Sequence, residues 1–228
     1  MSSVKRLIAA VICYQCSLMV CAAPQSSAPP PAVKEVFSTP GVVNQDGVKI
    51  FKASELKNSN FFRQGITYYP NYFEVSVPRG YASVAINLER NSKSREWDDN
   101  LKVCTIADAS LVPSRLLLES ENRVSHFFRN KDGERVMLTS WEFQKDEATI
   151  SIPEESLNSF IQGRKATVSR SVVAGEPALA LWNAYWQISG TSYELVVPEV
   201  LLGANRVDSL VALANKVTCR KARGALTK

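Results

Sequence analysis

The first 22 residues have the three parts of a secretory signal, and the compartment that this signal implies restricts the folds and the chemistry open to the rest of the chain. Lys5 and Arg6 form a short positive segment, an apolar run over residues 7–20 follows, and Cys21 and Ala22 are small residues of the kind that a signal peptidase reads. The run is shorter than the about 20 apolar residues that a membrane-spanning helix needs. We therefore expect a signal peptide over residues 1–22, a periplasmic or secreted mature protein, and no transmembrane segment after signal removal.

Export to an oxidising compartment gives the remaining cysteines a structural meaning. Only Cys104 and Cys219 follow the signal region, and no Cys-x-x-Cys spacing occurs there. Two cysteines in such a compartment are most simply one disulfide, so we predict a Cys104–Cys219 bond. Two unrelated buried thiols are the alternative. Lipidation of Cys21 is a further alternative, although Val20 before it fits a lipoprotein signal poorly.

Composition divides the mature chain into a linker, one domain and a tail. Residues 23–41 are rich in Pro, Ser and Ala, which predicts a disordered linker. We predict a single β-rich domain over residues 42–223 and a basic tail over residues 224–228. Without the signal region the chain keeps 25 basic and 22 acidic residues, a net charge of +3 that does not call for a nucleic-acid partner.

Alternating apolar and polar residues predict a mainly β domain of sandwich-like antiparallel sheets. Phe73, Val75 and Val77 alternate with polar neighbours, as do the apolar residues of segment 82–88. The turn sequence Asn130-Lys131-Asp132-Gly133 separates two strands of a hairpin, over residues 124–128 and 135–143. A phase change in the second strand predicts a bulge near Thr139. Further strands are predicted over residues 101–106, 148–152, 166–173, 179–188 and 193–197.

Two flanking helices complete the predicted fold. The first starts at Pro153 and ends at Gly163, with Leu157, Phe160 and Ile161 as an apolar stripe. The second starts near Asn205 and carries an apolar stripe of Val207, Leu210, Val211, Ala214 and Val217. We place Cys219 in its last turn, so that the disulfide would tie this helix to a strand of the first half of the chain.

The order of elements over residues 148–219 resembles that of a known exported family. A strand leads to a predicted helix that ends in Gly163-Arg164-Lys165, a strand follows over residues 166–169, and strand 194–197 is followed by Gly203 and a helix that contains Leu210 and Leu213. This pattern is similar to the C-terminal half of the invasion-associated locus B family of small periplasmic β-rich proteins. The resemblance implies a periplasmic compartment and a β-rich architecture, and it carries over no catalytic residue.

The sequence offers no set of residues for catalysis, a metal or a cofactor. His126 is the only histidine, and it lies in a predicted strand between apolar residues. A Ser-His-Asp triad, a Cys-His pair or a His-based zinc site would have to use it. Acidic pairs such as Asp98-Asp99 and Asp146-Glu147 fit a solvated surface. We therefore predict a protein that is not an enzyme and has no catalytic residues, metal site or cofactor.

Two aromatic groups are the candidate binding residues. The first group contains Tyr68, Tyr69 and Tyr72, with Arg63 close to them in the sequence. The second group contains Trp182 and Trp186. Exposed aromatic rings beside arginine are typical of protein interfaces. We predict an accessory protein of the cell envelope that binds another envelope or secreted protein, with an invasion- or secretion-associated role. The alternative is a periplasmic inhibitor or immunity protein that blocks a toxin or a wall-degrading enzyme.

Overall fold

The computed structural model describes residues 47–52, 66–77, 102–173 and 176–221. This part of the chain is mainly β, with one α-helix and two short 3₁₀ turns, over Glu154–Ser156 and Glu199–Leu201. The helix, α1, is Arg206–Asn215. The strands are β1 (Val48–Phe51), β2 (Ile66–Tyr68), β3 (Phe73–Val77), β4 (Lys102–Ile106), β5 (Val112–Ser120), β6 (Arg123–Arg129), β7 (Arg135–Trp141), β8 (Ile150–Pro153), β9 (Ser159–Ile161), β10 (Arg164–Val173), β11 (Glu176–Ile188), β12 (Thr191–Pro198) and β13 (Val217–Lys221).

A nine-stranded sheet forms the centre of the described structure. Its strand order is β2-β3-β10-β11-β12-β7-β6-β5, and β9 pairs with β10 beside this path. Two-stranded sheets form from β1 with β8 and from β13 with β4. The prediction of a mainly β fold with several sheets is confirmed. The sheets are not purely antiparallel, because β3 pairs with β10 and β1 with β8 in parallel.

Both faces of the large sheet are covered at β11. On one face, Trp182, Ala184 and Trp186 of β11 belong to a core that also takes in Leu210 and Ala214 of α1. On the other face, Tyr185 packs against a separate apolar cluster to which β1 and β8 contribute. The residues of β11 thus alternate between two cores, as period-2 strand geometry requires.

Strand β7 is regular, so the predicted bulge near Thr139 is wrong. Its pairing with β6 runs without a shift from Arg135 opposite Arg129 to Trp141 opposite Arg123. Every β7 residue after Arg135 is buried. A strand covered on both faces carries apolar residues in both phases, so the phase change needs no extra residue.

The first predicted helix, over residues 153–163, is also wrong. The 3₁₀ turn Glu154–Ser156 is followed by the hairpin of β9 and β10. Gln162 and Gly163 have φ angles of 49° and 73°, which form the tight turn of this hairpin. Phe160 is exposed while Ile161 is buried, because neighbouring residues of a strand point to opposite faces.

The second predicted helix exists as α1, with Leu210 and Ala214 buried. It ends at Asn215, so the placement of Cys219 in its last turn is wrong. Cys219 lies in β13, directly opposite Cys104 of β4 in an antiparallel pair. The predicted Cys104–Cys219 disulfide is confirmed, and it joins two strands rather than a helix and a strand.

Several predictions fall outside the described residues. These are the signal peptide, the linker, the strand over residues 82–88, Arg63, and the basic tail. Within the described ranges, no helix has the length and apolar character needed to cross a membrane.

Candidate functional site

The turn between β2 and β3 brings three of the predicted binding residues to the surface. The backbone N–H of Tyr69 donates to the carbonyl of Tyr72 at 2.8 Å and closes the turn around Pro70 and Asn71. Tyr68 and Tyr69 are 49% and 41% exposed. We call Tyr68, Tyr69 and Tyr72 the aromatic surface.

The aromatic surface is fixed to the core by a series of ring contacts. Tyr69 stacks on Tyr72 with 4.5 Å between centroids and 11° between ring planes. Tyr72 then contacts Trp182 of β11, at 4.8 Å between centroids. Trp182 is only 3% exposed, so the exposed ring of Tyr69 is connected to the buried core through one intermediate ring.

A network of charged side chains adjoins these rings and centres on Arg170. Its Nε lies 2.5 Å from a carboxylate oxygen of Glu199, and its Nη1 lies 2.7 Å from a carboxylate oxygen of Glu74. The indole N–H of Trp182 donates to Glu199 at 3.0 Å. Arg206, at the start of α1, approaches the other oxygen of Glu199 at 3.1 Å.

Strand pairing explains how these charges meet. Arg170 of β10 lies directly opposite Glu74 of β3 in the parallel pair, although 96 residues separate them. Glu199 follows β12 immediately and opens the 3₁₀ turn that leads to α1. The charged network therefore gathers residues from β3, β10, β11, the segment after β12 and the start of α1.

The contacts hold the network in its charged form. Burial opposes ionisation of Arg170, but its hydrogen bonds to Glu199 and Glu74 raise the pKa of the guanidinium. Burial likewise opposes the charge of Glu199, yet the hydrogen bonds from Arg170 and Trp182 lower its pKa. Burial raises the pKa of Tyr72, with the nearby Tyr69 and Glu74 adding to the effect. At neutral pH Tyr72 therefore keeps its hydroxyl proton.

The predicted binding residues do not all reach this site. Tyr69, Tyr72 and Trp182 come together in one stack. Tyr68 lies beside them in the chain, but its ring contacts Phe73 at 5.9 Å between centroids. Trp186 is fully buried and stacks on Tyr193 at 5.3 Å between centroids. Trp186 offers no surface to a partner, so we leave it out of the site. Arg63 lies outside the described residues.

Sequence reasoning missed Arg170, Glu74 and Glu199. Arg170 and Glu74 each lie inside a strand whose neighbouring positions are buried, and charged residues in such places usually have partners. That signal was present in the sequence. It marks the residues that need a partner, but it does not say which residues pair.

A second polar cluster lies across β5, β6, β7 and β12. The Ser125 hydroxyl donates to Glu119 and lies 2.7 Å from the hydroxyl of Thr139. Arg123 Nε is 2.9 Å from Glu119. Burial raises the pKa of Glu194, which Thr139 faces across the β7–β12 pair. Glu119, Arg123, Ser125 and Thr139 contact one another, so the cluster is weaker than the aromatic surface as a binding site.

His126 is held in a structural position. It is 4% exposed, and its Nε2 accepts a hydrogen bond from the backbone N–H of Cys104 at 3.3 Å. Burial lowers the pKa of His126 to about 4, from an ordinary value of 6.5, although the backbone at Lys102 favours the charged form. The ring is therefore neutral at pH 7, and its Nε2 lone pair is engaged in the core.

The acidic pair Asp146-Glu147 also has a structural contact. Asp146 accepts hydrogen bonds from Asn122 Nδ2 and Trp141 Nε1, both at 2.6 Å. In the described ranges, no group of three or more His, Cys, Asp or Glu residues is placed to hold a metal ion.

No protein-family model matches the chain, and no curated protein or solved structure matches it significantly.

Proposed function

We propose that this chain is an exported accessory protein of the cell envelope that acts by binding another protein through the aromatic surface. The observation that carries the proposal is the stack of Tyr69 on Tyr72, which itself packs on buried Trp182. A ring held in this way loses little further conformational freedom when a partner covers it. Exposed tyrosines with such support are typical binding hot spots.

The charged network supports the same reading. Arg170 and Arg206 lie beside Glu199 and Glu74, so the surroundings of the rings carry both signs of charge in fixed positions. Interfaces generally place an apolar or aromatic centre inside a polar rim. The rim would select partners with complementary charges and set the orientation of binding.

The disulfide supports export. A Cys104–Cys219 bond is stable in an oxidising compartment and is uncommon in the cytosol. A periplasmic or secreted location therefore agrees with the N-terminal signal that the sequence predicts. Action by binding rather than catalysis, and membership of the invasion-associated locus B family, remain predictions.

Partner capture by matched variants tests the proposal. The mature protein, the double variant Tyr68→Ala/Tyr69→Ala and the control Phe160→Ala are immobilised and exposed to an envelope extract. Phe160 is 65% exposed on the β9–β10 hairpin and is a comparable apolar ring away from the aromatic surface. We expect the double variant to lose at least about tenfold in affinity for the captured partner, because truncating a hot-spot residue costs about 2 kcal/mol or more.

Melting temperatures of the three proteins are measured alongside the affinities. The double variant should melt within a few degrees of the unchanged protein, since each ring is nearly half exposed and neither belongs to the buried core. Equal partner retention by the double variant and the Phe160→Ala control would contradict the proposal. A single high-affinity toxin or wall-degrading enzyme as the partner would assign the protein to the inhibitor or immunity class.

A further inference from the structure

The stack of Tyr69 on Tyr72 leaves apolar surface open to solvent at the turn between β2 and β3. Tyr69 is exposed, and so are Pro70 and Asn71, which complete the turn. The contact with Tyr72 uses one face of the Tyr69 ring. Because Tyr72 packs in turn on buried Trp182, the stack keeps its orientation without a ligand. The other face of the Tyr69 ring is a place where a compact apolar group can pack.

The charged side chains beside the stack are matched to one another. Arg170 lies between Glu74 and Glu199, and Arg206 contacts Glu199. The two cations and the two carboxylates cancel, so the network gives an ionic ligand no net attraction. Arg206 keeps guanidinium N–H groups other than the Nε that faces Glu199, and its side chain is 44% exposed. The surface is therefore suited to an uncharged ligand that carries hydrogen-bond acceptors.

The chain itself carries such a ligand in residues 28–33. This segment has Pro29, Pro30 and Pro31 at its centre and contains no charged residue. Three consecutive prolines favour the polyproline II conformation, in which the backbone carbonyls make no internal hydrogen bonds and are open to donors. Aromatic side chains recognise segments of this kind, because the extended conformation is preformed and little entropy is lost on binding.

The segment is long enough to reach the stack. Fifteen residues, 32–46, lie between the three prolines and the first described residue, and they span up to about 50 Å when extended. Val48 of β1 belongs to the apolar cluster against which Tyr185 packs. Trp182 is three residues from Tyr185 in β11, or about 10 Å along the strand, and crossing to the other covered face of the sheet adds about 20 Å. The segment therefore has more reach than the path requires.

We infer that residues 28–33 dock on the stack of Tyr69 and Tyr72 within the same chain, and that a partner of the aromatic surface has to displace them. A proline ring lies on the open face of Tyr69, and donors beside the stack meet the carbonyls of the segment. The inference rests on the proposed function, because it states how access to that same surface is regulated.

The attachment of the segment sets the size of the effect. A ligand on a linker of this kind acts at an effective concentration of about 1 mM. It lowers the affinity of a competing ligand by a factor of one plus the ratio of this concentration to the Kd of the free segment. The factor is about tenfold for a Kd of about 0.1 mM.

Fluorescence anisotropy with a labelled synthetic peptide of residues 26–34 tests the docking. Three mature proteins are compared: the unchanged chain, the triple variant Pro29→Ser/Pro30→Ser/Pro31→Ser, and the control Pro40→Ser, which alters another proline of the same linker. We expect the peptide to bind the triple variant about tenfold more tightly than the unchanged chain or the control. Equal affinities for the triple variant and the unchanged chain, or no binding to either, would overturn the proposal.

Two substitutions in the triple variant locate the peptide. Tyr69→Ala should weaken peptide binding at least about tenfold. Phe160→Ala removes an exposed ring on the β9–β10 hairpin and should leave the affinity unchanged. Equal affinities for these two proteins would place the peptide elsewhere and overturn the proposal. Should Tyr69→Ala lower the melting temperature sharply, the comparison of the triple variant with the unchanged chain remains decisive.

Sedimentation distinguishes docking within one chain from docking on a second copy. We expect the unchanged chain and the triple variant to have the same mass at all concentrations. A dimer that forms as the concentration of the unchanged chain rises, and that the triple variant lacks, would place the segment on a second copy and overturn docking within the chain.

Failure of this inference and failure of the proposed function give different results. Retention of the envelope partner by Tyr68→Ala/Tyr69→Ala contradicts the proposed function. Loss of the partner in that double variant, together with equal peptide affinities for the unchanged chain and the triple variant, refutes the docking of residues 28–33 alone.

Discussion

Removal of the Cys104–Cys219 bond should destabilise the protein mainly through its unfolded state. The bond closes a loop of 115 residues. For a loop of this length the chain-entropy relation gives about 16 cal/mol/K, or about 5 kcal/mol at 25 °C. In a domain of about 180 residues, each kcal/mol corresponds to about 2–4 °C, so the melting temperature should fall by about 10–20 °C.

The structure also indicates which strand should loosen first when the disulfide is removed. β13 pairs with β4 alone in the described sheets, and isolated two-stranded pairs are marginal in water. Without the bond, amide hydrogen exchange should rise first in β13, while β7 and β12, in the middle of the large sheet, keep their protection.

The assay compares the oxidised protein with the double variant Cys104→Ala/Cys219→Ala, because alanine leaves no buried thiol or hydroxyl. Thermal unfolding by circular dichroism gives the two melting temperatures, and the reduced unchanged protein serves as a control for the loss of sulfur atoms. A fall of less than about 3 °C in both cases would refute the reasoning. It would mean that the unfolded chain is already compact enough for the loop to cost little.

Three further predictions concern single side chains. The pKa of His126 is lowered to about 4 in the folded state, so the free energy of unfolding should be highest above pH 6.5 and should fall by about 3 kcal/mol as the pH drops towards 4. Urea titrations at several pH values measure this dependence. The variant His126→Gln should remove it and leave partner binding unchanged. Arg170→Met should lower the free energy of unfolding by about 2–4 kcal/mol in urea titrations, because it leaves the carboxylates of Glu74 and Glu199 without their shared cation. A loss no larger than that of Arg170→Lys would speak against this account. Gly190→Ala should destabilise more than Gly163→Ala, by about 1 kcal/mol. Both glycines have a φ of 73°, but an added Cβ meets the Gln144 side chain only at Gly190, and equal melting temperatures would show that Gln144 moves away freely.

Local patterns predicted those parts of the fold that local interactions determine. The hairpin of β6 and β7 is one case, because its turn carries its own bonding. The Asn130 side chain accepts hydrogen bonds from the backbone N–H groups of Asp132 and Glu134, and Gly133 takes a φ of 82°. Residues that form such a turn specify it wherever the chain places them.

The wrong helix shows where local patterns are ambiguous. Leu157, Phe160 and Ile161 have helical spacing, but short apolar runs fit a strand equally well. Contacts with the neighbouring strand favour the strand over the helix for this segment. Asn158 exchanges two hydrogen bonds with the backbone of Val168, from its Nδ2 to the carbonyl and from the N–H to its Oδ1, and so fastens this segment along β10. That partner is 10 residues away and does not belong to any helical pattern.

The candidate site depends on pairing that no local pattern contains. Arg170 meets Glu74 because β3 and β10 are parallel neighbours, and it meets Glu199 because the chain turns immediately after β12. A charge inside a buried strand is costly without a partner, so the sequence alone shows that Arg170 and Glu74 each need one. The fold satisfies both needs at one end of the sheet, next to Tyr72 and Trp182. The charged network that stabilises this end of the sheet is therefore the same one that fixes the polar rim beside the aromatic surface, and a substitution there should alter stability and partner choice together.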